Sequence, residues 1–147
     1  MSTPQHGELI GKASVITLAG AKTMMAAAEA EARKNGWRVA IAIVDSAGNL
    51  LMFQKLDDTQ PGSIQIAIGK ARTAANFKRP TKALEEVVTA GRTVFLAVEG
   101  ITPLEGGVPV VIDGQVIGAV GVSGVKSSED AQVAQAGADA LKDSARL

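Results

Sequence analysis

The chain has 147 residues, 46% hydrophobic and 20% charged, with no cysteine, and its 15 Lys and Arg residues are balanced by 15 Asp and Glu. That describes one globular domain able to bury its own core. It excludes disulfides, thiolate metal sites and cysteine nucleophiles, and the lack of a basic excess argues against nucleic-acid binding.

Residues 1–12 read as a flexible leader, followed by a single domain over 13–147. The leader is polar and lacks the apolar core of a signal peptide. No apolar run is long enough to span a membrane. The expected compartment is therefore the cytoplasm. Helical spacing of apolar residues predicts a helix from about Ile16 to Lys34, which Asn35-Gly36 stops because both residues tolerate the left-handed conformation. Arg38–Val44 and Leu50–Lys55 flank the turn cluster Asp45-Ser46-Ala47-Gly48-Asn49 and predict a β-hairpin.

After a polar loop, Ser63 is placed to cap a helix over about 64–76, and Thr81 a short one from Lys82 to about Thr89. The β-branched and aromatic run from Thr93 to Glu99 predicts a strand. A glycine-rich bend, Gly100 to Gly107, leads into a second hairpin, Val108–Ile112 and Gln115–Gly124, with Asp113-Gly114 as its tight turn. A final helix is expected over about 128–142, with Glu129 and Asp130 suiting its N-terminus. Five strands joined mainly by hairpins imply an α+β fold: one antiparallel sheet with helices packed on it. The apolar content comes mostly from Ala, Val, Ile and Leu, with one Trp, three Phe and no Tyr. Such a core implies elements that approach closely.

Lys70, Thr73 and Asn76 are three residues apart, so they could share one helix face. That face is either a solvated polar surface or a cationic wall toward an anionic group. Gly106-Gly107 precedes a strand; it is either a plain turn or a place where a ligand or another chain comes close. Gly118, Gly121 and Gly124 fit close packing of a helix or a second subunit better than a dinucleotide fingerprint, since no βαβ unit starts there. Asp45 and Asp113 read first as turn-fixing residues. His6 is the only histidine, and no metal site or Ser-His-Asp triad is expected.

Together these segments resemble the GlcG/HbpS-like family, also called haem-degrading or PduO C-terminal-like. The likeness rests on Ala40–Leu50, Ile66–Phe77 with Pro80-Thr81, Gly106–Val110, and Val116–Gly124 with Ala134–Gly137 downstream. It runs in family order over about 13–141. It implies a profilin-like fold on a five-stranded antiparallel sheet, homo-oligomers, and haem as the cofactor of some members. Two places depart from the family pattern: Lys55-Leu56-Asp57-Asp58 and the stretch from Val125 to Ala131.

The expected function is small-molecule binding, of haem or another planar or carboxylated ligand. The expected ligand-binding residues are Lys70, Thr73, Asn76, Gly106, Gly107 and Asp45. Two alternatives stay open: an enzyme acting on a small organic acid with Lys70 or Asp45 as acid or base, and a structural or regulatory homo-oligomer. No catalytic residue is assigned.

Overall fold

The computed structural model describes residues 7–145, so His6 lies outside the described residues. Its elements are α1 (Leu18–Lys34), β1 (Ala40–Asp45), β2 (Leu50–Lys55), α2 (Ser63–Phe77), α3 (Thr81–Thr89), a 3-10 helix (Thr93–Ala97), β3 (Gly107–Ile112), β4 (Gln115–Ser123) and α4 (Ser127–Ser144). The strands form one antiparallel sheet in the order β2-β1-β4-β3. No helix among the described residues is long and apolar enough to cross a membrane.

Strand alternation sorts the core into two layers. Val39, Ile41, Ile43, Val120 and Val122 face α1 and α4, where Met24, Met25, Ala28, Val133 and Ala134 complete a branched aliphatic core. Ala40, Ala42, Val44 and Ala119 face α2, which answers with Ala67, Ala71, Ala74 and Ala75. The α2 layer is thus alanine on alanine, and its backbone sits directly on the sheet. Gly121 makes that approach possible: a Cβ there would collide with the Ala67 carbonyl and lie 2.8 Å from the Ala71 Cβ. Gly118 meets Ile16 and the Val44 carbonyl on the opposite face.

Both hairpin turns fall at the same end of the sheet, because Asp45 pairs with Gly118 across β1 and β4. The second turn is the two-residue Asp113-Gly114 loop with φ of 49° and 75°, as a twisted hairpin of this kind requires. In the first, the Asp45 carboxylate accepts the Ala47 and Asn49 N–H groups at 2.9 Å each.

Three expectations are corrected. The sheet has four strands among the described residues, not five, because the expected strand at Thr93–Glu99 is a 3-10 helix over Thr93–Ala97. A short apolar run carries no period that separates strand from helix. Here Phe95 docks edge-on against Phe77, with ring centroids 6.1 Å apart. The caps also differ. Gly62, not Ser63, occupies the N-cap of α2, and the Ser63 hydroxyl instead meets Gln60 and Ser123. Pro80 precedes α3, which frees the Thr81 hydroxyl to accept the Gly107 N–H at 2.8 Å and lie 3.4 Å from the Gly107 carbonyl.

Candidate functional site

The six residues singled out from sequence separate into two places. Lys70 is buried on the inner side of α2. Its ammonium donates to the Asp130 carboxylate at 3.0 Å and to the Val122 carbonyl at 2.9 Å. Both side chains of the pair are 3% exposed. Asp130 also accepts the Val125 N–H. Desolvation pushes the Asp130 carboxyl above its ordinary range, and the facing Lys70 charge pulls the other way. Gly106 and Gly107 pack on this lysine. A Cβ on Gly106 would lie 2.6 Å from the Lys70 ammonium and 2.7 Å from the Val122 carbonyl. The space between the glycine pair and α2 is therefore filled by Lys70 itself. Thr73 is buried beside it, with its hydroxyl accepting the Thr102 N–H at 2.9 Å. This group is a polar clamp joining α2, the sheet and the start of α4, and the ammonium has no open face toward solvent.

Asp45 and Asn76 come together at the other place, the end of the sheet where the hairpins turn. Asn76 ends α2 against the first turn, where a Cβ on Gly48 would lie 3.2 Å from its amide oxygen. The Asp45 carboxyl is held below its ordinary range, first by the Asn49 N–H and, among the rest, by that of Ala47. Its Oδ1 is committed to the turn.

Beside that turn opens a groove of about 880 Å³, lined by Lys12, Ala13, Ser46, Lys78, Gln115 and Val116 with Gly11, Val111 and Gly114. Four separate stretches of chain build it: the segment Gly11–Ala13, the first turn, the end of α2 and the second hairpin. Lys78 takes the left-handed conformation (φ 55°) that ends α2, and its N–H closes on the Ala74 carbonyl. The lining carries two ammonium groups and no acidic side chain, with an apolar floor from Val111, Val116 and Ala13. Neither ammonium has a hydrogen-bond or ion-pair partner among the described residues. A second recess of about 360 Å³ shares Lys78 and Val111 with it and adds Arg79 and Lys142, along with Asp139. Polar groups over an apolar floor suit a small organic anion. The sequence reading missed Lys12 and Lys78. The one local signal was the basic pair Lys78-Arg79 directly before Pro80, where a helix must stop.

The groove's two lysines fit the carboxylates of a haem. Among the described residues no His, Cys, Tyr or Met lines the groove to meet an iron, and Met24 and Met25 are consumed in the core. The residues fit the acid groups and not the metal.

The sequence model of the family described as "Haem degrading protein HbpS-like" matches residues 16–139. Protein GlcG of Escherichia coli strain K12 is 52% identical over 103 residues, which is 70% of this chain and 77% of that protein. The crystal structure of Klebsiella pneumoniae protein ORFY superposes with a TM-score of 0.87 at 33% identity, covering 97% of this chain and 100% of that one. A crystal structure of PduOC in complex with haem superposes with a TM-score of 0.79 at 26% identity, covering 86% of this chain and 95% of that one.

Proposed function

The chain belongs to the HbpS-like family, and from that premise we propose that it is a small-molecule-binding protein whose ligand carries a carboxylate, held in the groove at the turning end of the sheet. The observation that carries this reading is the pair of ammonium groups, Lys12 and Lys78, without a partner among the described residues, over an apolar floor. Haem is one ligand of that class. In this reading its propionates meet the lysines, and the iron gains nothing from the groove. Asp45 acts as a positioning residue, because its carboxylate accepts two N–H groups of the first turn, which presents Ser46, and Asn76 packs against Gly48 of that turn.

The test uses three porphyrins that share a ring: haemin, metal-free protoporphyrin, and the protoporphyrin dimethyl ester. Absorbance titration is expected to give saturable binding of the first two with similar affinity and none of the ester. Lys12→Gln combined with Lys78→Gln is expected to weaken both by about tenfold or more, the equivalent of one charge-assisted contact. Equal binding of the ester, or a double variant that binds unchanged, overturns the proposal.

A homo-oligomer is part of the same proposal, for a specific reason. The 3-10 helix Thr93–Ala97 has no buried residue, and Val94 and Leu96 are 68% and 54% exposed. Neighbouring Leu104 is 43% exposed. An apolar segment of this kind on a folded surface seeks a partner. A second copy of the chain is the occupant we propose.

A further inference from the structure

At the opposite end of the sheet, where α1 ends and β1 begins, lies a cavity of about 330 Å³ unrelated to the groove. Its lining includes Arg33, Trp37, Arg38, Leu56, Asp57 and Asp58. Each contributes something a ligand could use. Leu56 is buried and forms an apolar base. Trp37, the chain's one tryptophan, is half-buried, and its backbone N–H is fixed to the Ala32 carbonyl. Its indole N–H has no acceptor among the described residues.

The charges divide into committed and uncommitted groups. Arg33 donates through Nε to Glu29 at 2.6 Å, which leaves the rest of its guanidinium open. Arg38 and Asp58 face each other at 3.6 Å across the rim, both largely exposed. Asp57 has no partner among the described residues. Asp58 holds a left-handed backbone (φ 67°) without being glycine. Such strained residues collect at ligand clamps.

We propose that this cavity binds a small zwitterion of the amino-acid type. The lining carries two guanidinium and two carboxylate groups. A pure anion would meet two repelling carboxylates, and a pure cation two repelling guanidinium groups. A molecule bearing both charges matches both. Its carboxylate goes to Arg38, with Arg33 behind it, and its ammonium goes to Asp57 and the face of Trp37. Its aliphatic part rests on Leu56.

The test exploits Trp37 as the protein's only strong intrinsic fluorophore, since there is no tyrosine. The full chain is titrated with L-leucine and with its two single-charge analogues, 4-methylpentanoate and isopentylamine. Leucine is expected to give a saturable shift of the Trp37 emission, and each analogue to bind at least tenfold more weakly. Asp57→Asn is expected to reduce leucine affinity to that of the carboxylate analogue, and Arg38→Gln to that of the amine. Trp37→Phe, followed by calorimetry, is expected to weaken leucine. The Lys12→Gln, Lys78→Gln protein is expected to respond to leucine unchanged, which keeps this site separate from the groove. Isopentylamine binding as tightly as leucine overturns the proposal. So does the absence of any saturable shift from protein whose circular dichroism is intact, or a leucine response lost with the groove lysines.

Discussion

Replacing Lys70 with methionine removes an ammonium that is 3% exposed and leaves Asp130, equally enclosed, with one remaining donor, the Val125 N–H. Breaking a buried pair in this way costs about 3–5 kcal/mol, because the surviving charge is stranded in a poorly solvating site. Replacing both partners with apolar residues of similar size removes the stranded charge, and such exchanges are neutral or stabilising by about 1–4 kcal/mol. Lys70→Met combined with Asp130→Leu is therefore expected to lie near the parent, and the cycle to show coupling of more than about 2 kcal/mol. The pH dependence has a definite sign. The Asp130 carboxyl is already raised by desolvation, and losing Lys70 removes the largest influence lowering it. A raised carboxyl favours folding below its ordinary value and loses that advantage as pH rises through the folded value. The cost of Lys70→Met should thus grow from pH 4 upward. Urea unfolding at pH 4.5 and pH 7.5, with constant m-values across the cycle, is the assay. A cost below about 1 kcal/mol at pH 7.5, or strictly additive single variants, would refute the claim that the two groups form one buried unit.

Other outcomes follow from the same geometry. Gly121→Ala should destabilise by about 1–3 kcal/mol or more, since the new methyl meets the Ala67 carbonyl and no side chain can yield; thermal unfolding reads this directly. Asp45→Ala should cost about 1 kcal/mol by freeing two turn N–H groups. Its carboxyl is lowered from an ordinary 3.8, so the stability it confers is present above that value and fades as pH falls below it. Leu96→Asp with Val94→Asp should leave the circular dichroism unchanged and shift the light-scattering mass toward a monomer. A mass that does not change would remove the 3-10 helix from the subunit interface.

Periodic elements with chemical stops were readable from the sequence. Gly36 ends α1 in the expected left-handed conformation while Asn35 stays right-handed at the C-cap, and Asp113-Gly114 makes the second turn, because in both cases local backbone chemistry decides the outcome. The alanine and glycine content likewise announced a close helix-on-sheet contact. The 3-10 helix was not readable, since a tertiary contact between Phe77 and Phe95 lies outside any local rule. Lys70 was misleading for a related reason. A lysine on a helix reads as surface, and its partner Asp130 lies 60 residues away. The stripe Ala67, Lys70, Ala71, Ala74 held a hint, because a charge set among buried alanines asks for a counter-charge. The groove was the least legible feature: Lys12, Ser46, Lys78 and Gln115 become neighbours only after the sheet is assembled.

The threonine at the start of α3 has a consequence for how the protein behaves in a crowded solution. Thr81 takes both the N–H and the carbonyl of Gly107 into its reach, which is what a neighbouring strand would do. Two positions further along, Pro109 offers no N–H at all. The outer border of the sheet is thereby a poor template for a stray chain, and growth by strand addition is discouraged where it would otherwise begin. A sheet with so few strands has two borders to guard. Here one hydroxyl and one imino acid give β3 resistance to fibre-like association without adding an extra strand.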